Sequence, residues 1–226
     1  MSEINEKISK TFLSVKETLL LRNKNEDSVK IIAVSKKKSK ELISEAYSCG
    51  IKNFGENYLQ EALEKKESLK GKEIIWHFIG SIQSNKCKEI AENFDWVHTV
   101  DRIKTARLLS KYCPKDKTIN ILIQINIDCE ESKSGVLEED LMDLAKEIDS
   151  LNNLILKGIM VIPKNDTSEG LLKNSFNKTF LLSKKLQSKL IDADEISMGM
   201  TNDYKLAIES GSTMIRIGTG IFGERN

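Results

Sequence analysis

The feature that most constrains this chain is a regular alternation between short apolar runs and stretches of helical periodicity. The runs are Lys30–Lys36, Asn53–Glu56, Ile74–Ile79, Trp96–Val100, Asn120–Ile127, Leu154–Ile162, Glu195–Met198 and Thr213–Ile217. Each is short, and the longer ones are almost continuously apolar, as expected of strands covered on both faces. Helical spacing fills the intervals Lys40–Cys49, Tyr58–Glu67, Asn85–Asn93, Ile103–Tyr112, Glu138–Ser150, Leu172–Ile191 and Asp203–Glu209. Strands that alternate with helices pair in parallel through βαβ units. Eight of them predict an α/β fold closed into a single (β/α)8 TIM-type barrel. An open doubly wound sheet is the alternative, but it more often uses fewer strands. Before the first strand, Ile4, Ile8, Phe12, Val15 and Leu19 mark an extra N-terminal helix over residues 3–22. This helix is expected to cover the seam where no helix follows the eighth strand. Proline occurs only at 114 and 163, and no Pro-, Gly- or Ser-rich linker interrupts the pattern. Residues 1–226 therefore read as one domain.

Charge narrows the function. The chain carries 35 Lys+Arg against 34 Asp+Glu, so no basic excess points to nucleic acid. The apolar runs are well short of a membrane span, and the acidic start MSEINEKISK does not resemble a secretory signal. Cys49, Cys87, Cys113 and Cys129 are scattered without a CxxC pair, and His77 and His98 are the only histidines. No metal site is expected, and free thiols suit a cytoplasmic protein.

In a barrel of this kind, chemistry collects at the C-terminal ends of the strands. The first run ends at Lys36, just before Ser39, a candidate N-cap with Glu41 behind it. A lysine held in an apolar pocket becomes nucleophilic toward carbonyls. On local grounds alone, Lys36-Lys37-Lys38 is more readily a solvated run, and side-chain alternation does not choose between Lys36 and Lys38. The last two ends are the most informative. Ser197 and Thr201 supply hydroxyls after the seventh strand, and Gly218-Thr219-Gly220 supplies backbone N–H groups after the eighth. Loops in these two positions often bind phosphate. Arg216 lies within an apolar strand and must be paired or hydrogen-bonded. A structural ion pair with Glu56 would satisfy it as well as a ligand would. A carbonyl for Lys36, a phosphate and an acceptor for Arg216 are all present in pyridoxal 5′-phosphate (PLP).

The segments AVSK (33–36), FGENYLQEA (54–62), WHFIGSIQSNK (76–86), QINIDCEESKSG (124–135), SMGMTND (197–203) and STMIRIGTGIFG (212–223) resemble the pyridoxal phosphate homeostasis protein family. That family is similar to the N-terminal barrel of alanine racemase. The match favours Lys36 over its neighbours. The resemblance implies that Lys36 carries PLP as a Schiff base and that Arg216 faces the pyridine nitrogen. It also implies that Ser197, Thr201, Gly218 and Thr219 hold the phosphate, with Asn57 near the ring substituents and residues 160–162 beside the ring. It further implies a protein that binds, stores or delivers the cofactor, transiently to apo PLP-enzymes, without catalysis of its own.

The runner-up is a PLP-dependent amino-acid racemase, but the chain stops at Asn226, without the second domain such racemases add. The same absence favours a monomer. An aldolase using Lys36 on a sugar phosphate is a further rival and would leave Arg216 unexplained. His77 and His98 are expected to be satisfied core histidines. Trp76 and Trp96 are expected to pack between barrel and helices. Ser84 is expected to cap the following helix, and the loop at Lys133-Ser134-Gly135 to shape the open face.

Overall fold

The computed structural model describes residues 2–164 and 168–224. Eight parallel strands close in sequence order, the last beside the first. They are β1 (Lys30–Val34), β2 (Asn53–Glu56), β3 (Ile75–Phe78), β4 (Trp96–Val100), β5 (Ile119–Ile125), β6 (Leu154–Val161), β7 (Glu195–Met200) and β8 (Met214–Ile217). The helices are α1 (Glu3–Leu20), α2 (Lys40–Ser48), α3 (Leu59–Ser68), α4 (Cys87–Asn93), α5 (Ile103–Tyr112), α6 (Leu141–Asp149), α7 (Glu169–Gln187), α8 (Tyr204–Glu209) and α9 (Thr219–Phe222). The expected (β/α)8 barrel with an added N-terminal helix is the fold observed.

The helices start where polar side chains meet exposed N–H groups. Ser2, Ser39 and Ser168 accept hydrogen bonds from Asn5, Leu42 and Leu171, so α1, α2 and α7 begin with side-chain caps. Ser84 does not act this way. It opens a short 3-10 turn, Ser84–Lys86, whose N-cap position is Gln83, and α4 starts only at Cys87.

Two apolar layers result. The larger lies between the strands and the helices and includes Phe54, Phe78, Phe94, Ile121, Ile159 and Ile215. The smaller lies inside the barrel, where Ile32, Leu122, Met160 and Met214 pack with Trp96 and Ile162. Trp76 is buried among the outer aromatics, as expected. Trp96 is instead inside, stacked on His77 at 5.6 Å, because it lies on the same side of β4 as the inward-facing His98, two residues on. The interior is not wholly apolar: His77, His98, Ser197 and Arg216 are buried there too.

The seam differs from expectation in one respect. A four-residue helix, α9, does follow β8, and α1 packs on it as well as on α2 and α8. Thr11 donates to the Gly220 carbonyl, and Lys38 Nζ donates to the carbonyls of Phe222, Gly223 and Glu224. Lys38 is thereby committed to the seam. Strand β1 also stops at Val34, two residues before Lys36, because Ser35 to Lys38 form a turn with Lys37 at φ 59°.

Candidate cofactor site

A cleft of about 670 Å³ opens at the C-terminal ends of the strands. Val34, Lys36, Asn57, Ile79, Thr201 and Arg216 line it, together with Gly218 and Thr219. Six of the seven expected cofactor residues thus share one cavity, contributed by the ends of β1, β2, β7 and β8. Ile162 and Pro163 supply an apolar wall. Met160 does not reach the cleft; it lies beneath it in the inner core. Gln83 to Lys86 do not line it either.

Ser197 is the exception. It is fully buried in the barrel and absent from the cleft wall. Its oxygen accepts from Arg216 Nη1 at 2.7 Å and sits 3.0 Å from His98 Nδ1. The expectation of Ser197 on a phosphate is corrected accordingly: its place is beside Arg216.

Arg216 is held by neutral acceptors. Nη2 donates to the Val161 carbonyl at 2.9 Å, and Nη1 donates to Ser197. Burial lowers its pKa to about 10, with the Asp203 carboxylate pulling the other way, so it stays charged at neutral pH. The ion pair with Glu56 does not form. Glu56 Oε1 instead accepts from Lys65 Nζ at 2.7 Å and Ser35 Oγ at 2.6 Å.

Behind Arg216 runs a hydrogen-bond chain that pattern reading of the sequence missed. A guanidinium only donates, so Ser197 Oγ accepts and its O–H points to His98 Nδ1. His98 Nε2–H then donates to His77 Nδ1 at 2.9 Å, and His77 Nε2–H donates to Asn53 Oδ1 at 3.1 Å. The amide oxygen at the far end requires the same directions. Both histidines must be neutral for this order to hold. Burial, aided by the Lys30 charge, lowers His77 to about 3, and burial lowers His98 well below its ordinary value. The expectation of satisfied core histidines holds, but their link to Arg216 depends on strand register, which one sequence does not display.

At the turn after β8, Thr201 Oγ1 accepts from the Gly218 N–H at 3.3 Å and the Gly220 N–H at 3.4 Å. Its own O–H remains available to donate. A Cβ on Gly220 would lie 2.9 Å from Ile217 Cγ2, so a larger residue there would displace the Ile217 side chain. Around Gly218 the nearest atoms to a built Cβ are Val34 Cβ at 3.8 Å and the Val34 carbonyl oxygen at 3.9 Å, so the turn is open on that side.

These residues fit PLP. Converging N–H groups and a hydroxyl suit a phosphate. Arg216 suits a ring nitrogen that accepts. Asn57 Oδ1 is buried, lines the cleft and has no hydrogen-bond partner; the phenolic hydroxyl of PLP is a donor of the kind it lacks. Among the described residues, no group of metal-ligating side chains occurs, and no helix is long and apolar enough to cross a membrane.

Comparison with known proteins agrees with this geometry. Residues 17–226 match the family described as alanine racemase, N-terminal domain. The pyridoxal phosphate homeostasis protein of Haemophilus influenzae is 47% identical over 209 residues, covering 90% of this chain and 88% of that protein. The protein of the same name from Pseudomonas aeruginosa is 41% identical over 227 residues, covering 100% of this chain and 97% of its own. Solved structures of PipY from Synechococcus elongatus superpose with TM-scores of 0.87 without PLP and 0.84 with PLP bound. They are 31% and 30% identical and cover 98% of this chain and 100% of that one. The chain belongs to the alanine racemase N-terminal domain family and, within it, to the pyridoxal phosphate homeostasis proteins.

Proposed function

We propose that this protein is a non-catalytic carrier of PLP that serves vitamin B6 homeostasis. In this reading Lys36 Nζ holds the aldehyde carbon as a Schiff base. Arg216 donates to the ring nitrogen, and Asn57 accepts from the ring hydroxyl. Thr201, Gly218 and Thr219 hold the phosphate. When bound, PLP supplies an electron-poor ring conjugated to the lysine nitrogen. The observation that carries the reading is the convergence of Lys36, Asn57, Arg216 and the Gly218–Thr219 turn on one cleft.

Two features bear on the choice between a carrier and a racemase. An arginine does not give up its proton, so the ring nitrogen facing it stays unprotonated, and the ring is a weaker electron sink, which racemases also tolerate. Racemisation also needs a proton-transfer group on each side of the substrate carbon. Among the described residues lining the cleft there is no tyrosine, histidine or cysteine, and Lys164 and Asp203 are the titratable side chains there besides Lys36 and Arg216. The names of the full-length relatives point the same way.

Incubation with PLP, borohydride reduction and peptide mass spectrometry test the reading. Label is expected on Lys36 and is expected to vanish in Lys36→Ala. The loaded protein is expected to leave L-alanine unconverted; formation of D-alanine would favour the racemase. Transfer to apo PLP-enzymes, a monomeric state and a cytoplasmic setting complete the proposal. Apo-enzymes should regain activity faster from the loaded protein than from Lys36→Ala mixed with the same PLP.

A further inference from the structure

Lys36 is flanked by two peptide groups, and one ion cluster grips both. The Ser35 carbonyl, on the N-terminal side, accepts from Lys65 Nζ at 2.7 Å. The Lys37 N–H, on the C-terminal side, donates to Glu61 Oε1 at 2.5 Å. Lys65 Nζ joins the two grips, because it also lies 2.5 Å from Glu61 Oε1 and 2.7 Å from Glu56 Oε1. Glu61 and Lys65 are one turn apart on α3, so a rigid helix carries both. Lys65 and Glu56 are buried. The gripped segment holds Lys37 in the left-handed region at φ 59°, a conformation a lysine avoids unless its surroundings impose it. That turn separates Lys36, which lines the cleft, from Lys38, which caps the seam.

We propose that Glu61 and Lys65 are positioning residues for Lys36, a role that rests on Lys36 being the attachment point for PLP. In attachment the Lys36 nitrogen bonds to the aldehyde carbon, loses its protons and releases the aldehyde oxygen as water. The rate depends on the amine meeting that carbon in line, and small misplacements are costly. The clamp fixes the backbone on either side of the amine, so that the side chain leaves the strand end toward the cleft. It acts by reach and not by charge.

The test compares two variants of the full chain. Glu61→Asp keeps the charge but is one methylene too short to meet the Lys37 N–H. Glu61→Gln keeps the reach and an acceptor oxygen but loses the charge. Both are read by the rate of borohydride-fixed label on Lys36 and by affinity for pyridoxamine 5′-phosphate, which has no aldehyde. Glu61→Asp is expected to bind pyridoxamine 5′-phosphate as the unsubstituted protein does, yet to attach PLP about tenfold more slowly, the size of one lost hydrogen bond. Glu61→Gln is expected to attach within about twofold of the unsubstituted rate, its amide oxygen still accepting. Normal attachment in Glu61→Asp, or equal slowing in Glu61→Gln, would overturn the proposal. Parallel loss of pyridoxamine 5′-phosphate affinity would also overturn it, since the defect would then lie in the whole site. Absence of label on Lys36 in the unsubstituted protein would overturn the carrier reading and this inference with it.

Discussion

Arg216 sets the terms for its neighbours. A buried guanidinium with no carboxylate in contact needs every neutral acceptor it has. Ser197 is one, and it is also the only donor shown to His98 Nδ1 among the described residues. Replacing Ser197 with alanine leaves two buried groups unpaired. It is expected to destabilise the unliganded protein by about 3 kcal/mol in urea unfolding. A phosphate-binding serine at the cleft surface would instead weaken PLP affinity and leave unliganded stability alone. The sequence revealed that Arg216 needed a partner but not which one. Glu56 was the nearest acid by strand-end reasoning, yet its partner is Lys65, nine residues away on the next helix. Partners of that kind are set by helix phase over a strand end, and motif reading does not supply it. Thr201 and Gly218 were legible from strand-end position and residue type, whereas Lys36 over Lys38, and Asn57, came only with the family resemblance, because side-chain alternation does not choose between the lysines.

At the level of elements, the strand and helix order was legible from periodicity, and the boundaries were less so. Strand β7 runs to Met200, beyond the expected Met198, with a register shift against β8 between Ser197 and Met200. Helix α6 begins at Leu141, because residues 137–140 form a turn in which Asp140 donates to the Leu137 carbonyl. The short α9 has too few residues to show a period. Close strand approach is equally invisible in a single sequence. Gly158 on β6 has φ 147°, and a Cβ there would lie 1.9 Å from the Glu195 carbonyl oxygen on β7. Gly158→Ala must push β6 and β7 apart or distort both. It is expected to cost at least about 3 kcal/mol, measured by chemical unfolding. The substitution lies on the barrel wall below the cleft, so its first effect is on stability.

For the molecule as a whole, the buried histidines tie stability to pH. An unfolded histidine takes a proton near pH 6.5, whereas His77 in the folded barrel resists one down to about 3. Protons therefore favour the unfolded chain across that window. The contribution of His77 is complete above pH 6.5 and falls by about 1.4 kcal/mol per pH unit below it. His98 acts in the same sense. Burial raises Glu56 and Asp203, which then hold protons the unfolded chain would release, so they act in the opposite sense. The histidine share is isolated by comparison with His77→Gln. The stability gap between the two proteins is expected to narrow steadily from pH 6.5 toward 3 in denaturant titrations; a constant gap would show that His77 does not carry the effect. Barrel closure has a consequence of its own. Lys36 follows the first strand and Arg216 lies in the last, and these strands pair along Lys30–Ala33 and Met214–Ile217. A small molecule gripped at both ends is a rivet across the join, and no partly assembled ring offers both halves of its socket. With Lys36 and Arg216 as the two proposed contacts, occupancy by PLP would report that β8 has docked beside β1.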